Sequence, residues 1–407
     1  MDDQTKSADF FVGGVRMPRP FRIRRLGHFG LDMEDIHAAR TFYTENFGFR
    51  IADPLDLGHR LPPEEQGQHG PTTGYFMRHG TDHHSFVIFP RKLRMRLLPH
   101  YNKQSTINQI TWQVASLREV VDGFNWLTEK GVKIIRSGRD NPGSNWHAYP
   151  LDPAGHTNEI YYGIEQIGWD GLSKPGGMHR RGYTQTPELP HRSEYAETQE
   201  GFAAGVDLLS ATRAHEPLEE KHDVGGVLLG RPFKVTKIGP VRIFVDDVAK
   251  NLAFYRDHMG LTLTEEVVWR GHRCVFLRAN TEHHSIALYP TALRAELGLS
   301  AHSTHFSIGF QVGDYRQLRD AMSWLEGRGV TIRKLPPELF PGMDYTAFAF
   351  DPDGHAIQLY SYMEQIGWDG RPRPAAQRPR IDNDAWPEYV DAASDTFAGE
   401  VFLGPYN

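Results

Sequence analysis

Cysteine is almost missing from this chain of 407 residues: Cys274 is the sole one, which excludes an intrachain disulfide framework and every multi-cysteine zinc site. A lone thiol fits a reducing compartment, so the expected location is cytoplasmic. An excess of basic residues is also lacking. The formal net charge of -6 gives no positive face for a polyanion, and nucleic acid is not an expected partner. No apolar run approaches the roughly 18 residues of a membrane span, and no charged-then-apolar leader opens the chain, so neither a membrane partner nor a secretory signal is expected. What is present is a globular composition, 39% hydrophobic and 24% charged, in a chain too long for one ordinary core.

The chain repeats itself. VGGVRMPRPFRIRRLGH, from Val12 to His28, aligns without a gap to VGGVLLGRPFKVTKIGP, from Val224 to Pro240. Further on, DHHSFVIFP answers EHHSIALYP, LDPAGHTNEIYY answers FDPDGHAIQLYS, and both copies run into EQIGWDG. Agreement at this many positions is a tandem duplication. Each copy divides again. RIRRLGHFGLDM alternates like a strand, Ile36, Ala39, Phe42 and Tyr43 mark a short amphipathic helix, and Gly48 is placed to stop it. The order returns with the strand INQITWQV, a helix through Val120, Val121, Phe124 and Leu127, and Gly131, with further strands near 84–89, 146–151 and 157–162. The reading is one strand, one helix and three strands, four times over.

The expected divisions are a tail over 1–11, a first domain over 12–171, a wrapping arm over 172–223, a second domain over 224–370 and a second arm over 371–407. EYAETQEGFAAGVDLL at 194–209 resembles EYVDAASDTFAGEVFL at 388–403, so the arm itself is read as duplicated and ordered.

The segment from Tyr149 through Asp152-Pro153-Ala-Gly155 to Glu159 is similar to the end of the type I extradiol dioxygenase signature, in which a tyrosine precedes an Asp-Pro-x-Gly turn and a glutamate on the closing strand. Asp-Pro and Gly favour a tight turn, and the strand after it aims Glu159 to one face. With this segment both copies resemble the vicinal oxygen chelate superfamily, which includes glyoxalases, bleomycin-resistance proteins and those dioxygenases, over about 20–170 and 232–370. The resemblance implies an α+β fold of four βαβββ modules in two tandem paired-module domains. It also implies metal ligands at His28, on the first strand, and at Glu159, on the last. A carboxylate in the apolar strand NEIYY faces several kcal/mol of desolvation unless paired or metal-bound, though an outward-facing glutamate is the plainer alternative.

The third ligand position departs from the pattern. Aligning LGHFGLDM with INQITWQV puts Gln109 where extradiol enzymes carry histidine, an oxygen ligand that glyoxalase-like members use; His147 and His156 are alternative imidazoles. Asp82-His83-His84-Ser85 resembles the segment that supplies the acid and base of the extradiol enzymes, which makes His84 a catalytic candidate beside Tyr149. The plainer reading, that His83 and His84 simply open a strand, draws support from His283 and His284 in the second copy. That copy has Pro240, Ser307 and Gln358 where the first has His28, Gln109 and Glu159, so it reads as degenerate, with His305 as a residual metal candidate. Trp112, Trp146 and Tyr161, with Phe89, are the expected aromatic walls for a substrate ring.

The implied activity is Fe(II)-dependent extradiol cleavage of a catechol or related dihydroxy-aromatic compound, with dioxygen as co-substrate and a homo-oligomer left open. The alternatives are a glyoxalase-like isomerase or lyase using Mn, Zn, Ni or Mg, and a metal-free small-molecule binding or resistance protein.

Overall fold

The structure is a computed structural model and describes residues 10–99, 101–178, 182–299 and 303–390. The expected tail therefore lies outside the described residues up to Asp9, and the C-terminal arm is described only to residue 390.

In the first half a hairpin of β1 (Phe10–Val12) and β2 (Val15–Met17) leads into β3 (Arg25–Met33), α1 (Ile36–Thr41), β4 (Arg50–Asp56), β5 (Thr73–Arg78) and β6 (Phe86–Pro90). After α2 (Arg91–Leu97) the order repeats as β7 (Ile107–Gln113), α3 (Leu117–Glu129), β8 (Ile134–Arg139), β9 (Trp146–Pro150) and β10 (Asn158–Tyr162). These strands form one sheet in the order β4-β5-β6-β3-β7-β10-β9-β8, which is two βαβββ modules joined through the antiparallel pair β3 and β7.

The arm contributes α4 (Glu194–Ala203), and the hairpin β11 (His222–Val224) and β12 (Val227–Leu229) leads from it into the second half. The second half then gives β13 (Val235–Val245), α5 (Val248–Ala253), β14 (Thr262–Trp269), β15 (His272–Arg278) and β16 (Ile286–Pro290). Helix α6 (Leu293–Glu296) leads to β17 (His305–Val312), α7 (Tyr315–Gly327), β18 (Ile332–Arg333), β19 (Thr346–Phe350) and β20 (Ala356–Tyr360), and the second sheet has the same strand order as the first. The short helices α2 and α6 fall outside the expected pattern because each buries one leucine only, Leu93 and Leu293, too little to show as a periodicity. No helix among the described residues is long and apolar enough to cross a membrane.

Local chemistry sets the helix limits. The carboxylate of Asp35 accepts from His37 N and Ala38 N at the start of α1, and Ser116 accepts from Glu119 N at the start of α3. Gly48 and Gly131 follow their helices at φ 75° and 74°, a conformation that other residues resist.

One apolar cluster runs through both halves: Phe47 and Phe49 of the first lie 5.2 and 5.1 Å from the ring of Phe310 in the second. Reciprocal polar fasteners close the same interface. Asp152 holds His156 within its own turn and accepts from the hydroxyl of Tyr255 at 2.9 Å, while His156 Nε2 reaches Thr304 Oγ1 at 2.8 Å. Asp351 likewise holds His355 and accepts from Tyr43 at 2.8 Å, and His355 Nε2 reaches Thr106 Oγ1 at 2.8 Å. The two Asp-Pro-x-Gly-His turns thus join the halves, which removes His156 from the candidate ligands.

Candidate active site

The first sheet gathers its polar residues at a bulge. Leu26 pairs with Trp112 and Phe29 with Ile110, so Gly27 and His28 together face the single residue Thr111. Thr111 fastens the bulge: His28 N donates to its Oγ1 at 2.6 Å, and its hydroxyl donates to His28 O at 2.6 Å. Glycine is required at position 27, since a Cβ there would sit 2.1 Å from the hydroxyl of Tyr161. On the other side of β7, Glu159 of β10 is in register with Thr111, so His28 and Glu159 flank Thr111 on one face. Both are buried, and His28 Nε2 lies 3.1 Å from Glu159 Oε2.

That separation bears on metal binding. Two ligands at right angles with bonds of about 2.1 Å have donor atoms about 3 Å apart, so His28 and Glu159 fit adjacent positions around one divalent ion. Asn145 Nδ2 donates to Glu159 Oε1 at 2.6 Å and fixes the carboxylate's orientation. Burial pushes the Glu159 carboxyl up, but His28, His147 and Arg136 outweigh it and hold it below the usual carboxylate range. The remaining ligands are weaker. Gln109 is in register with Gly30 and lines the same cavity as His28, offering an amide oxygen. His147 Nδ1 is 4.0 Å from Glu159 Oε1. Burial, then Arg136, lowers the His147 imidazole to about 3, so it is neutral. Among the described residues no group of three His, Cys, Asp or Glu side chains is disposed to hold a metal ion. His28 Nδ1, moreover, has no partner. These side chains would offer a divalent ion two strong donors plus an amide, which suits an ion held more loosely than a full facial triad would hold it.

His84 stands beside this pair, its ring 4.3 Å from that of His28. Behind it lies a chain of contacts: His84 Nδ1 is 3.0 Å from His83 Nδ1, and His83 Nε2 is 2.8 Å from Asp53 Oδ2. The second half fixes the direction of the protons. There Glu265, His283 and His284 form the same chain, with contacts of 3.1 and 3.0 Å, and it ends on Arg242, whose Nη2 is 2.8 Å from His284 Nε2. A guanidinium only donates, so His284 Nε2 accepts, His284 Nδ1 donates to His283, and His283 Nε2 donates to Glu265. The same order in the first half leaves His84 Nε2 as a bare lone pair. Burial, then the neighbouring His28 and His83, keeps the His84 imidazole well below its ordinary value, hence neutral.

Arg242 also explains why the second cup is closed. Its buried guanidinium donates to Gln358, His284 and Met343, filling the cup with a cation of the protein's own. Arg242 is in register with Ala287, whereas its counterpart Gly30 is in register with Val87, and a Cβ on Gly30 would lie 2.6 Å from Val87 Cγ2. Small and large residues have exchanged places across the same strand pair. His305 instead spends Nε2 on the carbonyl of Ala356 at 3.2 Å.

A cavity of about 120 Å³ opens over His28, His84, Gln109 and Tyr149. Its apolar wall is Leu55, Leu57, Phe76 and Phe89, and Arg60, Arg94 and Arg136 lie around its polar side. Such a space is small for a ligand pocket and suits one ring with short substituents. Tyr149 packs 4.7 Å from His147 and under Arg136 at 4.6 Å. Burial, followed by Glu159, raises its phenol, so the hydroxyl stays protonated as a donor.

Of the expected aromatic walls Phe89 lines the cavity, whereas Trp112, Trp146 and Tyr161 do not. Trp112 shares the face of Ile110, sits in the apolar core and donates to Asn158 Oδ1 at 2.8 Å. Trp146 is turned to the opposite face from His147 and packs against Tyr183 and His191 of the arm. Tyr161 is on the site's face but lies beneath His28, 5.0 Å from its ring, rather than on the cavity wall. Thr111, Asn145, Phe76 and Asp53 are the residues that sequence reasoning missed. For Asp53 a signal existed, since both copies keep an acid at its position and at Glu265, together with the His-His pair.

The Glyoxalase/Bleomycin resistance protein/Dioxygenase superfamily profile matches residues 25–160 and 237–359. The 2,2′,3-trihydroxybiphenyl dioxygenase of Sphingomonas paucimobilis is 34% identical over 122 residues, which span 30% of this chain and 40% of that protein. Among solved structures, the Mn(II)-bound glyoxalase from Novosphingobium aromaticivorans is similar with a TM-score of 0.52 and 14% identity, over 86% of this chain and 85% of that one. Homoprotocatechuate 2,3-dioxygenase from Brevibacterium fuscum, in complex with 3,4-dihydroxyphenylacetate, is similar with a TM-score of 0.53 and 12% identity, over 87% and 85%. At these identities the structures attest the fold.

Proposed function

Because the chain belongs to the Glyoxalase/Bleomycin resistance protein/Dioxygenase superfamily, we propose that it is an Fe(II)-dependent extradiol-type dioxygenase that opens the ring of a catechol or related dihydroxy-aromatic compound. The observation that carries this reading is that His28, held 3.1 Å from the buried Glu159, and a neutral His84 line one small cavity. His28, Glu159 and the amide oxygen of Gln109 would hold the ion. Ferrous iron, when bound, would make vicinal ring hydroxyls more acidic and relay electrons from the ring to dioxygen.

The chain's own residues do the rest. His84 Nε2, left bare by the chain of contacts from Asp53, takes a proton from a ring hydroxyl and returns it later. Tyr149 donates its O–H to a substrate oxygen. Leu55, Leu57, Phe76 and Phe89 seat the ring and keep water away. Anaerobic loading with Fe(II), then oxygen uptake and a yellow ring-fission chromophore on a panel of catechols, tests the reading.

One observation favours a second reading, a glyoxalase-like isomerase or lyase using Mn, Zn or Ni: the amide of Gln109 at the third ligand position. Turnover of a hemithioacetal without oxygen uptake, by metal-loaded protein, would select it. A chain that retains no metal would instead be a binding or resistance protein.

A further inference from the structure

Three guanidiniums line the active-site cavity, and carboxylates do not match them equally. Among the described residues Asp140 is the one carboxylate on the lining, and it pairs with Arg136. Arg94 lies 3.6 Å from Asp32, which is itself buried. Arg60 is exposed at the cavity opening, and among the described residues its side chain has neither an ion pair nor a hydrogen bond. What burial it has, then Arg136 and Arg94, lowers it from the ordinary guanidinium value, with no acid raising it.

Arg60 and Arg94 stand at the end of the cavity away from the proposed ion ligands. Arg94 reaches over the ring of Phe89 at 5.6 Å. Phe89 is in register with Asp32, four residues beyond His28 on β3, which at about 3.3 Å per residue is about 13 Å along the strand. Arg60 comes from the loop 57–72, which leaves β4 at the same end: Leu55 is in register with Gly74, where a Cβ would lie 2.2 Å from the Phe89 ring. Leu57 and Leu61 of that loop share one apolar cluster with Phe89 and Leu93. Arg136, by contrast, lies over Tyr149 and acts on Glu159. The closed second cup has no such loop, since Arg270 and Gly271 alone join β14 to β15.

We infer that the ring taken by this site carries a carboxylate opposite its hydroxyls, and that Arg60 with Arg94 recognises it. The inference rests on the dioxygenase reading, which puts the hydroxyls at the His28 end. Planar guanidinium donors suit the two oxygens of a carboxylate, and a cavity of about 120 Å³ favours one held close to the ring. The loop 57–72 is then a specificity element that only the open cup possesses.

Anaerobic calorimetric titration of the Fe(II)-loaded chain with 3,4-dihydroxybenzoate and, separately, with 3,4-dihydroxybenzamide tests this, because the two rings differ in charge and hardly in shape. The acid should bind about tenfold more tightly, the worth of one charge-assisted hydrogen bond partly open to water. Raising the ionic strength should narrow that preference. Arg60→Ala should reduce it to about twofold or less, and Arg60→Glu should reverse it in favour of the amide. Equal affinity for acid and amide, no binding of either, or an Arg60→Ala protein with the parent's preference overturns the inference. Oxygen uptake measured in parallel separates it from the reading beneath it. Ring opening without preference for the acid leaves the dioxygenase standing and removes the carboxylate; preference for the acid without oxygen uptake does the reverse.

Discussion

Replacing Asp53 by Asn tests the base assigned to His84 at its most exposed step. The carboxylate of Asp53 only accepts, so the proton of His83 must sit on Nε2, 2.8 Å away. His83 Nδ1 then accepts from His84 Nδ1 at 3.0 Å, and His84 Nε2 is bare. An asparagine amide turns its NH2 toward His83 Nε2 and reverses the whole chain: His83 Nδ1 donates, His84 Nδ1 accepts, and the proton ends on His84 Nε2, where the lone pair is needed. General-base catalysis is worth about 10²- to 10⁴-fold in rate, so kcat on a catechol substrate should fall by that range. KM and bound iron should stay near the parent values, because the Asp53 carboxylate contacts His83 and Thr212, neither of which lines the cavity. Asp53→Glu should recover most of the rate, since Glu265 serves the identical histidine pair in the second half at 3.1 Å. Steady-state oxygen uptake with parallel iron analysis reads all three. An iron-loaded Asp53→Asn protein within threefold of the parent kcat would refute the reasoning.

Three further outcomes concern the scaffold. Arg242→Leu leaves His284 Nε2 and Gln358 Oε1 buried without their donor, at about 1–3 kcal/mol for each unsatisfied group; denaturant unfolding should show a loss of about 2–4 kcal/mol, with metal content unchanged. Tyr43→Phe and Tyr255→Phe each remove one hydroxyl donor to a buried carboxylate across the interface of the halves, and each should cost about 1.5–3 kcal/mol, Tyr255→Phe the more because Asn158 Nδ2 also donates to that hydroxyl at 3.2 Å. Burial raises Glu265, but His283 and Arg378 outweigh it and bring its carboxyl down to about 2. A carboxyl lowered in the folded state stabilises above its unfolded value of 4.5, and that stability is lost as pH falls toward 2. Glu265→Gln should therefore flatten the loss of stability between those pH values, measured by unfolding at stepped pH.

The legible part of the site was the part carried by local pattern. The duplication set the element order, and the tyrosine, turn and glutamate run marked Glu159 and, with it, the strand that must hold His28. Faces were harder to read. The bulge at Gly27 and His28 breaks the period-2 alternation of β3, so counting residues does not say which side of β7 meets His28. Trp112 and Trp146 have the rings a substrate wall needs, yet each lies one residue out of phase with the site's face. Long-range partners left no mark in a local window. His156 follows the same turn as Glu159 but is claimed by Thr304 of the other half, and Arg242 acquires its meaning only from the exchange of Val87 for Ala287 on a neighbouring strand.

Metal content tests the central claim most directly. Protein loaded anaerobically with Fe(II), freed of excess ion and assayed by elemental analysis should carry one ion per chain. His28→Ala and Glu159→Gln should each carry almost none, and Gln358→Ala should match the parent. Full retention of iron by both His28→Ala and Glu159→Gln would contradict the account.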